Sequence, residues 1–171
     1  MTEDKQKNEG SETLSAGPKS SPIPAVGRIG GIDFGTVRIG VAISDPGQSI
    51  ASPLEVYQVR SPKLDAQHFQ QIANQERLVG WVVGLPLHMS GDESEKSGEA
   101  REFGRVLAES TGLPVAWIDE RFSTAMAREM LSQSNLSGKK RKAQLDKLAA
   151  QILLTTFLES DRSDAGPGEL G

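Results

Sequence analysis

Two apolar runs, 29–34 and 39–44, open the regular pattern of the chain, with Gly35, Thr36, Val37 and Arg38 between them. Their Ile, Val, Gly and Ala content predicts two largely buried strands, and the connection is of hairpin length. Residues 50–59 form a third strand candidate, in which Pro53 points to an edge or an irregular start. Ser61 and Pro62 read as the N-cap and first residue of a helix to about residue 75, with Leu64, Phe69, Ile72 and Ala73 inward. The run 78–84, LVGWVVG, is nearly all apolar, as in a strand covered on both faces. Residues 85–97 carry glycine, serine and acids and are expected to form a mobile loop. Ala100, Phe103, Val106 and Leu107 then recur at helical spacing over 97–110, and Gly112 ends that helix. Residues 115–118 form a short buried strand, followed by Asp119, Glu120 and Arg121. Ser123 caps a helix to about 132, and a polar, basic loop takes 133–142. A last helix runs over 143–159 with Leu145, Leu148, Ala149, Ile152, Leu153 and Phe157 on its apolar stripe.

The order β-β-β-α-β-α-β-α-α predicts an α/β domain with a mixed five-stranded sheet and helices on both faces. Residues 1–27 mix Lys, Glu, Ser, Gly and Pro with few large apolar side chains and are expected to form a disordered arm. Residues 161–171 are expected to form a second tail, which leaves 28–160 as the folded domain.

Composition narrows the chemistry. Cysteine is absent, which excludes disulfides and thiolate metal sites. His68 and His88 are the only histidines, so a zinc site built on several imidazoles is not expected. A metal here should be a hard cation on carboxylates, Mg2+ or Mn2+. The net charge of −4 argues against nucleic-acid binding by overall charge and leaves local basic patches open. With no apolar run long enough for a membrane span and no signal-like segment, the expectation is a cytoplasmic protein without a membrane partner.

Three acids stand where a bland surface residue is not expected. Asp33 lies in a buried strand, where a carboxylate is costly unless paired or metal-bound; it is either a metal ligand or a cap of the turn. Glu120, with Asp119, follows the carboxyl end of a strand, where ligand sites of open α/β sheets lie; its plain alternative is an ion pair with Arg121. Asp146 shares a helix face with Ala149, Ala150, Leu153 and Phe157. It either points across at strand-end acids or gains from the helix dipole in a first turn. If Asp33, Glu120 and Asp146 converge, they cannot all ionise without a cation between them. Two divalent ions about 3.5–4 Å apart would satisfy them and support in-line phosphodiester hydrolysis.

Four stretches, GIDFGTVRIGVAISD (31–45), VVGLPLHMSG (82–91), IDERFST (118–124) and LDKLAAQILL (145–154), sit in order along the core. In these the chain resembles the YqgF/RuvX family of bacterial proteins, RNase H-like domains related to the Holliday-junction resolvase RuvC. The resemblance implies a metal-dependent nuclease whose motif acids fall on Asp33, Glu120 and Asp146, with Asp119 as second choice. It implies maturation of the 5′ end of the 16S rRNA precursor, or resolution of branched DNA as described for some members. His88 replaces the family's usual asparagine after GLPL. Arg38 and Arg121 are candidates for substrate phosphate or for surface ion pairs. Lys139, Lys140, Arg141 and Lys142, the densest positive run, would bind the nucleic-acid backbone or form a solvated loop. A non-catalytic rRNA-binding scaffold is the alternative to an enzyme. No dimer surface is marked, so monomer and homodimer both stand.

Overall fold

The structure is a computed structural model and describes residues 23–121, residue 129 and residues 138–163. The strands are β1 (Arg28–Asp33), β2 (Arg38–Ser44), β3 (Ala51–Gln58), β4 (Leu78–Leu85) and β5 (Val115–Asp119). The helices are α1 (Pro62–Gln75), α2 (Glu95–Thr111) and α3 (Gly138–Ser163). The sheet order is β3-β2-β1-β4-β5. The first three strands are an antiparallel meander, while β1, β4 and β5 run parallel. This is the mixed five-stranded sheet that the alternation of apolar runs predicts.

Each face of the sheet is covered. On one, Ala150, Leu153, Leu154 and Phe157 of α3 meet Ile29, Ala42 and Val82. On the other, Phe69 and Ile72 of α1 and Leu107 of α2 meet Ile32, Val41, Trp81 and Val83. Two glycines let α3 approach. A Cβ at Gly31 would lie 2.8 Å from Leu154 Cβ, and one at Gly40 would lie 3.0 Å from the Asp146 carbonyl oxygen. The backbones therefore meet where a side chain would separate them.

Local signals set most boundaries. Ser61 caps α1, its hydroxyl accepting from Leu64 N–H at 3.3 Å, with Pro62 first in the helix. Pro53 pairs opposite Ala42 where the β2–β3 register shifts, so its missing N–H falls at an irregularity of an edge strand. Gly112, at φ 70°, closes α2.

Several expectations change. Leu64 is 46% exposed rather than inward, because Asp65 takes the adjoining inward position and accepts from Tyr57 Oη at 2.8 Å. The α2 helix begins at Glu95, because Ser94 and Ser97 form a reciprocal capping box. Residues 86–93 are internally hydrogen-bonded: Leu87 pairs with Glu93, and His88 N–H donates to the Asp92 carbonyl at 2.9 Å. Helix α3 begins at Gly138 rather than 143, so Lys139 and Lys140 lie on its first turn and not in a loop. Lys, Arg, Ala and Gln are strong helix formers, and no breaker follows Gly138. Asp146 therefore sits more than two turns inside α3, away from the dipole of its first turn. Finally, β5 is a half-buried edge strand.

Residues 23–27, assigned to the arm by composition, are packed: Ile23 is buried beside Gly80, and Gln48 Nε2 donates to the carbonyls of Pro24 (2.7 Å) and Gly27 (3.0 Å). The expected arm at 1–22, the helix at 123–132, the loop at 133–137 and the tail from 164 lie outside the described residues, as do the side chains of Arg141 and Lys142.

Candidate functional site

Because β1, β4 and β5 are parallel, their carboxyl ends share one edge of the sheet. Asp33 is the last residue of β1, paired with Gly40, and Glu120 directly follows β5. The β4 strand runs between them, and at Gly84 the Leu153 side chain of α3 fills the place a Cβ would take. A Cβ at Gly84 would stand 3.7 Å from the Glu120 carboxyl carbon and 3.7 Å from the Ile32 carbonyl oxygen. Asp33 and Glu120 hydrogen-bond to each other. Asp146 comes from the opposite side: its backbone lies over Gly40, and its charge acts on Asp33.

The electrostatics follow from this convergence. Burial pushes the Asp33 carboxyl up to about 9, helped by the hydrogen bond with Glu120 and by the charges of Glu120 and Asp146. Asp33 thus resists ionisation near neutral pH. Arg38, at the start of β2, holds Asp146 through Nη2–Oδ2 at 3.2 Å. Among the described residues no three acids or histidines stand ready at ligating distances. The donor chemistry nevertheless fits a hard divalent cation. Partly buried carboxylates, one kept from ionising by burial and by negative neighbours, gain by exchanging a proton for a metal.

Asp119 is placed differently. Arg121 Nε and Nη2 donate to its carboxylate at 2.9 and 2.5 Å, which holds Asp119 below the ordinary carboxylate range. It is absent from the groups that shift Asp33. The Arg121 Nη1 donates to the carbonyls of His88 (3.3 Å) and Met89 (3.1 Å), so this side chain straps the 86–93 turn to the end of β5. Lys139 and Lys140 are exposed, roughly 10 Å along α3 from Asp146. A cleft of about 390 Å3 opens beside Glu120, lined also by Phe34, Gly35, Thr36, Pro86, Lys96 and Glu99. Lys96, Gly84 and Gly40 were not singled out from sequence. Lys96 belongs to an ordinary polar helix face, and a glycine's meaning here depends on what approaches it in space.

The sheet order, the two covered faces and the acids at one edge define the RNase H-like class of α/β protein. Consistent with this, the T. thermophilus RuvC bound to a Holliday junction superposes with a TM-score of 0.50 at 17% identity, covering 80% of this chain and 96% of that one, a likeness of fold. The chain belongs to the RuvX family: the family model described as "RuvX: Holliday junction resolvase" matches residues 27–160. A Rhodopirellula baltica protein named "Putative pre-16S rRNA nuclease" is 52% identical over 139 residues, 81% of this chain and 80% of that protein. A Paracoccus denitrificans protein of the same name is 39% identical over 80% of this chain and 87% of its own length.

Proposed function

We propose that this chain is a divalent-metal-dependent nuclease that processes the 5′ end of the 16S rRNA precursor in the cytoplasm. The observation that carries this reading is the meeting of Asp33 with Glu120 beside Asp146 at one edge of the sheet. The choice of substrate rests on the name carried by relatives up to 52% identical to this chain. The catalytic unit is the domain 28–160, with the terminal segments outside it.

Asp33, Glu120 and Asp146 would hold Mg2+ or Mn2+. When bound, the metal supplies positive charge against the negative charge that builds on the scissile phosphate and helps water ionise near neutral pH. Asp33 gives up the proton it shares with Glu120 as the site fills, so loading competes with protonation. Arg38 fixes the orientation of Asp146. Arg121 secures the turn that borders the cleft. Lys96 lines the cleft and neutralises a substrate phosphate there. Lys139 and Lys140, with Arg141 and Lys142, track the nucleic-acid backbone further along.

The test presents the full chain and Mg2+ with a 5′-extended 16S precursor and with a synthetic four-way DNA junction. Cutting of the RNA alone supports the proposal. Symmetric cutting of the junction would replace it with the resolvase reading that the family model's description favours. Magnesium-independent RNA binding without cleavage would make the chain a scaffold.

A further inference from the structure

A second cavity has none of Asp33, Glu120 and Asp146 in its lining. It is a groove of about 690 Å3 between α1 and α2, on the sheet face opposite α3. Val59, Phe69, Phe103, Val106 and Leu107 line it with apolar surface, and Phe34 and Glu99 border both it and the acidic cleft. Around this surface stand the carboxylates of Asp65, Glu95, Glu99 and Glu102 with the guanidinium of Arg60, and Glu102 is itself paired with Arg105. At Gly98, midway along the α2 side, a Cβ would meet nothing within 4 Å, so the groove is open there.

Apolar walls edged by carboxylates complement a helix with aliphatic or aromatic anchors on one face and Lys or Arg beside them. We propose that the groove between α1 and α2 docks a basic amphipathic helix of a partner protein. Charge separates this occupant from the others. The acidic edge repels a nucleic-acid backbone and an anionic lipid surface alike. A second copy in a twofold contact would bring the same carboxylates face to face. The chain's own termini do not match. Residues 1–22 offer only Met1 and Leu14 as large apolar side chains and carry Glu3, Asp4, Glu9 and Glu12; residues 164–171 offer only Leu170 and are acidic.

The test titrates the full chain with a fluorescent synthetic helix of leucine and lysine, and with its counterpart in which glutamate replaces lysine. Two variants accompany the wild type. Gly98→Phe fills the open part of the groove at a site where a larger residue also favours the helix. Glu95→Gln/Glu102→Gln neutralises the edge and keeps the comparison informative if Gly98→Phe does not fold. The proposal expects saturable binding of the lysine helix, weakened about tenfold or more by each variant, and no binding of the glutamate helix. Absence of binding, equal binding of both helices, or binding of the lysine helix unchanged by the variants would overturn it. So would a wild-type dimer that Gly98→Phe converts to monomer in light scattering, which would assign the groove to a second copy.

Discussion

With its carboxyl partly buried at the end of β1 and facing two other acids, Asp33 is raised from an ordinary value of 3.8 to about 9. The unfolded chain ionises this group near pH 4 and the metal-free folded protein does not. Folding is therefore unpenalised below about pH 4 and loses stability progressively as pH rises towards about 9. Asp33→Asn removes that dependence. In EDTA, the melting temperature of the wild type should fall relative to Asp33→Asn between about pH 5 and 9. Added Mg2+ should stabilise the wild type alone, by an amount that grows with pH, since metal and proton compete. Scanning calorimetry reads both effects; parallel melting curves for the two proteins would contradict the placement of Asp33. The neighbouring pair shows where sequence runs out. Asp119 and Glu120 are adjacent acids after the same strand, and no spacing separates them. The distinction comes from Arg121, which occupies Asp119 and leaves Glu120 to reach Asp33. Arg121→Ala should free the 86–93 turn, with faster amide exchange at His88 and Gly91 and reduced cleavage, while Mg2+ binding persists; unchanged exchange would show that the strap is dispensable.

At the level of elements, the site depends on how closely α3 approaches the sheet. Gly40 and Gly31 allow that approach, and with it the position of Asp146 over β1 and β2. Gly40→Ala places a methyl group 3.0 Å from the Asp146 carbonyl, so α3 must give by a few tenths of an ångström. Crowding of this kind costs about 1–3 kcal/mol. Gly40→Ala should lower the melting temperature by several degrees and reduce cleavage about tenfold or more through displacement of Asp146. A variant as active as the wild type would show that α3 tolerates the shift. The strands, α1 and the acid in the first apolar run were legible in sequence, because periodicity and caps are local signals. Helix α3 was only half legible. Its stripe from Leu145 onward is apolar, but its first turn is a lysine run whose charge mimics a loop, and the helix propensity of those residues prevails. The roles of Gly40 and Gly84 were not legible, since each is defined by an element arriving from elsewhere in the chain.

Across the whole molecule, parallel pairing of β1, β4 and β5 brings residues 33 and 120 to one edge, and α3 delivers residue 146 to the same place. The opposite face carries the groove between α1 and α2, whose lining includes none of those three acids. Topology thus gathers the three acids at one end of the sheet and leaves the groove on a helix-lined face. Among the described residues no helix is long and apolar enough to cross a membrane. The central claim is that Asp33, Glu120 and Asp146 form one metal site that hydrolyses a phosphodiester. It is tested most directly by Mg2+-dependent cleavage of a 5′-extended 16S precursor, comparing wild type with Asp33→Asn at matched fold stability. The account predicts cleavage by the wild type that EDTA abolishes, and a loss of at least about a hundredfold in Asp33→Asn. Cleavage retained by Asp33→Asn would contradict it.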